Sequence, residues 1–301
     1  MSLAEGVIRK IRRLRCGIYT PAEVCLLFAD KISEKLFHSS MNLYSRSRAK
    51  RLLKSDGVSY HIKDVKLPVL DEENEHGLIV SVFDDTFCSY VFFGDRYDEA
   101  TVDLCDTMLK EGLYGLVNDK INVTVESGDI VIDAGSWIGD FAAYASVKGA
   151  HVYAFEPEEK MFSYLQQTAG LNGNITPVKK GLSDKSGKAE LFSDDSSRAS
   201  SMMNENAVHK ALTEIEITTI DDFVRENNLP RVDFIKSDIE GFERRMLAGA
   251  QETLARFAPK LALCTYHLPD DPQVMAELIL KANPKYNIVQ KRMKLFASVP
   301  E

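Results

Sequence analysis

The chain has 301 residues, 45% of them hydrophobic and 27% charged, with a net charge of −8. That length suits one α/β domain of roughly 150–200 residues plus an extension, and the composition is that of a folded globular protein. The sequence contains no run of the roughly 18 apolar residues a membrane helix needs, no long apolar segment follows the basic N-terminus as in a secretory signal, and Cys16, Cys25, Cys88, Cys105 and Cys264 show no CxxC spacing. A disulfide framework and a zinc site are thereby excluded, and reduced thiols in a cytoplasmic protein are expected.

The first third reads as mostly helical. Residues 3–14 alternate basic and apolar positions at helical spacing, and Thr20-Pro21 has the form of an N-cap with proline at the first helical position, opening a helix to about residue 38. A third short helix is expected over 41–54. Residues 1–54 carry twelve Lys/Arg and four Asp/Glu, a net of +8 that leaves −16 on the remainder. Such an arm reads either as a docking surface for a polyanion or an anionic membrane face, or as a solvated helix face that pairs with the acidic body. Strands are expected at 58–63, 78–83 and 88–93, and a helix at 97–111. Residues 1–120 thus form an N-terminal α+β extension, expected to serve substrate binding or homo-oligomerisation.

From about residue 120 strands and helices alternate. Strands are expected at 130–133, 151–155, 175–179, 188–192, 214–218, 232–237 and 261–265, helices at 140–148, 158–171, 220–227, 243–257 and 271–282, and a closing hairpin at 286–290 and 294–299. Alternation of this kind builds a largely parallel sheet with helices on both faces. The polar run 193–201 reads as a loop, either a lid or an insertion.

In such a sheet the ligand lies beyond the carboxyl ends of the strands. Asp133-Ala-Gly135-Ser136-Trp137-Ile-Gly139 falls at the end of the first strand of this region and opens a helix. A nicotinamide fingerprint needs a second glycine for close approach to a pyrophosphate, and that position is Trp137. S-adenosylmethionine has no phosphate and presents an ammonium, a carboxylate and a ribose diol. Asp133 either contacts its amino-acid end or braces the loop, and backbone amides at the helix start receive its carboxylate. Glu156 ends the next strand, 17 residues after Gly139, where a carboxylate accepts both ribose hydroxyls.

A second acid cluster, Val232-Asp-Phe-Ile-Lys236-Ser-Asp238-Ile-Glu240-Gly-Phe-Glu243, ends a strand and opens a helix. Strand alternation puts Lys236 and Asp238 on one face, while Glu240 and Glu243 also suit a helix start. Together with Ile132–Asp140, Ala154-Phe-Glu-Pro157, Gly181-Leu-Ser-Asp184, Thr218-Thr-Ile-Asp-Asp-Phe223, Ala248–Leu254 and Tyr266-His267, this element makes residues 128–297 resemble the FkbM family of S-adenosylmethionine-dependent methyltransferases.

The resemblance implies a Rossmann-like, seven-stranded class I methyltransferase sheet over residues 121–301 and methylation of hydroxyl groups, often on sugars or polyketides. It implies that Asp133, Gly135 and Gly139 form the cofactor loop, that Glu156 holds the ribose, and that the turn at 181–183 borders the adenine. Ser136, Trp137, Pro157, Gly181, Leu182 and Asp238 complete the expected cofactor-binding set. The chain departs from such loops, which usually carry small or amide residues at 136–137; its one tryptophan either stacks on the cofactor or walls the pocket.

Methyl transfer to a hydroxyl needs in-line positioning and a base. Asp238, Glu240 and His267 are candidates, with His267 or Asp238 preferred, Lys236 orienting the acceptor or stabilising its oxyanion, and His209 and Tyr266 as weaker alternatives. Two acids are too few to argue a metal site, and none is expected. The Asn/Asp-Pro-Pro-aromatic motif of amino methyltransferases is absent, which favours an oxygen acceptor on a small molecule or glycan. The alternatives are an RNA methyltransferase that uses the basic arm, although nucleic acid is not the expected partner, and a non-catalytic adenosyl-binding module.

Overall fold

The computed structural model describes residues 114–193, 211–291 and 293–300, preceded by residues 21, 22 and 25 and the short segments 54–55, 59–62, 64–68, 79–83 and 89–93. Pro21, Ala22 and Cys25 are helical. The helices expected at 3–14 and 97–111, nearly all of those at 20–38 and 41–54, the loop after residue 193 and His209 lie outside the described residues.

Seven strands make the central sheet: β1 Ile130–Ala134, β2 His151–Phe155, β3 Ile175–Val178, β4 Phe234–Ser237, β5 Lys260–Cys264, β6 Asn287–Lys291 and β7 Lys294–Ser298. Their spatial order is β3-β2-β1-β4-β5-β7-β6. The first five are parallel, and β7 runs antiparallel between β5 and β6. The chain order reverses between β1 and β4, so a crevice opens at their carboxyl ends. Strands β1 and β4 are apolar runs covered on both faces. Ile132, Ala134 and Ile235 enter one core with Phe155 and Leu263, whereas Val131 and Phe234 enter the opposite one with Phe141 and Phe296.

The helices are α1 Asp140–Val147, α2 Glu159–Asn172, α3 Ile220–Glu226, α4 Glu243–Ala248, α5 Gln251–Phe257 and α6 Asp271–Ala282. Side chains cap two of them: Glu158 accepts from the amides of Lys160 and Met161 at α2, and Thr219 accepts from that of Asp222 at α3. One helix was expected over 243–257, but the chain breaks at Gly249 and Ala250 into α4 and α5. A Cβ at Gly249 would lie 2.2 Å from the Ser183 carbonyl oxygen. The Gly249 carbonyl accepts from the Asp221 amide at 3.0 Å. The helix gives way where this neighbouring backbone presses against it.

Strands Gly181–Leu182, Ala211–Thr218 and Gly187–Ser193 form a small second sheet. In the extension, Lys54–Ser55, Ser59–Ile62 and Val65–Pro68 form an antiparallel sheet, and Ile79–Phe83 pairs with Ser89–Phe93. Val65–Pro68 docks on α2 through Asn172, whose Oδ1 accepts from the Lys66 amide at 3.1 Å and whose Nδ2 donates to the Lys66 carbonyl at 2.7 Å. The amide side chain thereby satisfies the backbone as another strand would. Among the described residues no helix is long and apolar enough to cross a membrane.

Candidate active site

The loop after β1 begins with a backbone constraint. Gly135 has φ +72°, and a Cβ there would meet the Asp238 carbonyl oxygen at 2.0 Å, so the turns after β1 and β4 are in backbone contact. The amides of Gly135 and Ser136 donate to the Phe155 carbonyl at 3.1 and 2.9 Å, which fixes the loop to the end of β2. Ser136 is fully buried and its hydroxyl donates to the Asp133 carbonyl. Gly139 caps α1.

The β1–β4 register sets Lys236 directly beside Asp133. Both are buried, and Lys236 Nζ lies 2.9 Å from Asp133 Oδ1. The same ammonium donates to the carbonyls of Gly135 at 2.6 Å and Ala134 at 3.4 Å. Burial works to lower the Lys236 pKa, but the carboxylates of Asp133 and Asp238 outweigh it and hold it above the usual lysine range. Lys236 is thus ion-paired with Asp133 and hydrogen-bonded to two backbone carbonyls at the end of β1.

Glu156 follows β2 and is buried. Its Oε2 accepts from the Trp137 amide at 3.0 Å and its Oε1 from the Glu158 amide at 2.9 Å, so each oxygen keeps a lone pair. Burial pushes its pKa up to about 7 against these hydrogen bonds. Trp137, with φ +49°, is half-buried beside it, and its indole N–H is buried with no acceptor. Pro157 is half-buried, and Gly181 is buried. The side chain of Leu182 belongs to the core that holds Phe155 and Phe223.

Beyond β4 and β5 lies the second cluster. Asp238 Oδ2 accepts from the Tyr114 hydroxyl at 2.7 Å and Oδ1 from that of Tyr266 at 2.8 Å. Burial tends to raise the Asp238 pKa, but His267, Lys294, Lys236 and Tyr114 overcome it and hold the carboxyl well below the usual range. His267 has Glu240 at 3.6 Å from Nδ1, and Glu243 and Asp238 at 3.7 and 3.9 Å from Nε2, all outside hydrogen-bond range. Burial tends to lower the His267 pKa, but Asp238, Glu243 and Glu240 raise it above the ordinary histidine value. Glu240 sits at φ +53°. Glu243 is buried and accepts from the amides of Ile239 and Gly241, bracing the turn from behind, and burial pushes its pKa up to about 7.

Asp133, Lys236, Asp238, Glu240 and His267 thus share one edge with the loop 135–139 and Glu156. The residue that sequence reasoning missed is Tyr114. Its ring lies under Lys294 Nζ at 3.6 Å from the centroid, and Lys294 in turn donates to Cys264 Sγ at 3.0 Å. Nothing in the local sequence around Tyr114 marks it, because its partners are distant in the chain.

The unsatisfied polar atoms converge on this edge. Among the described residues, buried side-chain atoms without a hydrogen-bond partner belong to Asp133, whose carboxylate is ion-paired with Lys236, and to Trp137, Ser237, Thr265 and His267. All five lie at or just beyond the carboxyl ends of β1, β4 and β5. Buried polar groups are normally satisfied, and a cluster of exceptions marks a ligand site. An indole N–H without an acceptor beside a carboxylate with spare lone pairs fits an adenosyl ribose.

The sheet order and this strand-edge site define a class I methyltransferase fold. The FkbM methyltransferase domain matches residues 133–286, and the chain belongs to that family. It is 32% identical over 162 residues to the hexuronic acid methyltransferase AglP of Haloferax volcanii, covering 52% of this chain and 64% of that protein. It is 24% identical over 208 residues to the 31-O-demethyl-FK506 methyltransferase FkbM of Streptomyces tacrolimicus, covering 58% of this chain and 79% of that one. The crystal structure of a methyltransferase FkbM from Methylobacillus flagellatus KT superposes with a TM-score of 0.46 at 22% identity, covering 67% of this chain and 55% of that one. The chain thus spans under two thirds of the length of AglP.

Proposed function

We propose that this protein transfers a methyl group from S-adenosylmethionine to a hydroxyl of a sugar, glycan or polyketide-like small molecule. The observation that carries the reading is the convergence of unsatisfied buried polar atoms at the carboxyl edge of β1, β4 and β5. Family membership, and the hexuronic acid and FK506 methyltransferases among the relatives, support an oxygen acceptor.

Glu156 and the Trp137 indole would hold the ribose, and the amides of the 135–139 loop the amino-acid end. The cofactor supplies an activated methyl on a sulfonium. Lys236 would position the loop through Asp133 and the carbonyls of Ala134 and Gly135, which its ammonium already contacts. Asp238, Glu240 and His267 form the acceptor side. The hydroxyl has to shed a proton; both Asp238 oxygens already accept from Tyr114 and Tyr266, so this reading puts proton removal on the His267–Glu240 side of the cluster.

S-adenosylmethionine is expected to raise the melting temperature, and NAD is not. With a tritiated methyl donor and fractionated cell extract, label is expected in carbohydrate or small-molecule fractions. The absence of any cofactor-induced shift, or label in RNA alone, contradicts the proposal.

A further inference from the structure

The His267 environment is unusual for a base. Three carboxylates surround one imidazole at 3.6–3.9 Å, and none of them hydrogen-bonds to it. The ring is 90% buried by its 10% side-chain exposure, and Nε2 has no partner. One ligand atom each from Asp238, Glu240 and His267 lies within 4.8 Å of the others. Two ligands on one metal ion with bonds of about 2.1 Å stand roughly 3.4 Å apart. Glu240 faces Nδ1 and Asp238 faces Nε2, so an ion held by one ring nitrogen draws the far carboxylate in from up to 4.8 Å by side-chain rotation.

We propose that Asp238, Glu240 and His267 bind a divalent cation of the first transition row. The proposal rests on the reading of this edge as the acceptor side. A mixed set of one imidazole and two carboxylates suits Mn2+ or its neighbours better than Mg2+, which favours oxygen and water. The surroundings match those of a ligated metal. Ligating carboxylates are oriented by outer hydrogen bonds, and Asp238 has two, from Tyr114 and Tyr266. Among the described residues, Lys236 and Lys294 act on Asp238 through their charge but make their hydrogen bonds to the loop carbonyls and to Cys264.

The side chains of Asp238 and Glu240 are 28% and 30% exposed, so the cluster opens on one side, as a catalytic metal site does. A cation there takes the acceptor oxygen into an open position and lowers the hydroxyl's pKa. The hydroxyl proton passes to water, the oxygen–carbon bond forms and the carbon–sulfur bond breaks, giving the methyl ether and S-adenosylhomocysteine.

The test titrates the full chain with MnCl2 and follows the free Mn2+ signal by electron paramagnetic resonance. One Mn2+ per chain is expected, with affinity at least about tenfold weaker in Glu240→Gln and in His267→Gln. In wild-type protein, bound Mn2+ should broaden the imidazole NMR signals of His267 and spare those of His151, which starts β2 at the opposite edge. That readout decides the matter if a variant fails to fold. Failure to bind Mn2+, unchanged affinity in both folded variants, or equal broadening of the two histidines overturns the site. The S-adenosylmethionine melting shift is measured on the same samples without metal. A protein that binds the cofactor but not Mn2+ loses only the cation site; one that binds Mn2+ but not the cofactor keeps the site and loses the methyl-transfer reading.

Discussion

Glu156 carries a pH signature. The unfolded chain sheds its proton near 4.5 and the folded chain near 7, so the folded state holds the extra proton between those values. Stability of the cofactor-free protein is therefore expected to fall as pH rises through that window and to level off above it. Glu156→Gln should make this part of a melting-temperature profile shallower, the remaining slope belonging to Glu243, which shares the window. Ribose hydroxyls donate to the carboxylate form, so S-adenosylmethionine should bind more tightly at about pH 8 than at about pH 6 and release protons. Calorimetry in two buffers of different ionisation enthalpy reads that release, and an affinity independent of pH contradicts the ribose assignment. Lys236 makes a stability prediction. Lys236→Met strands the Asp133 carboxylate in the core and is expected to destabilise by about 3–5 kcal/mol in denaturant unfolding. Adding Asp133→Asn should recover part of that loss.

The two loops act as one element because their backbones touch. Gly135→Ala would force a Cβ against the Asp238 carbonyl at positive φ, and a loss of more than about 2 kcal/mol is expected by thermal unfolding. This part of the site was legible in the sequence, since an acid, two glycines and a helix start follow an apolar strand. The side-by-side placement of Lys236 and Asp133 was not, because it depends on a strand register that no local pattern encodes. The same holds for the break between α4 and α5. Periodicity runs through residues 243–257, and the interruption comes from the carbonyl of Ser183 in another element.

At the scale of the molecule, the strand–helix alternation made the sheet readable, and the terminal hairpin was visible as two apolar runs. That β7 inserts beside β5 is a tertiary outcome. In the extension the strands at 58–63, 78–83 and 88–93 were readable, but not its contact with the seven-stranded domain through Asn172. Asn172→Ala is expected to weaken the docking of Val65–Pro68 by about 1–3 kcal/mol, read as faster amide exchange in that strand. Tyr114 carries a consequence for dissecting the gene. It lies before the family match at 133–286 and on the extension side of a boundary placed at residue 120, yet its hydroxyl holds Asp238. A truncation chosen by kinship alone would keep every recognised motif and remove a hydrogen bond from Asp238. In the full chain, Tyr114→Phe should leave the cofactor-induced melting shift intact while slowing turnover. Inactive fragments that begin after residue 120 would then report a missing tyrosine and not a missing activity.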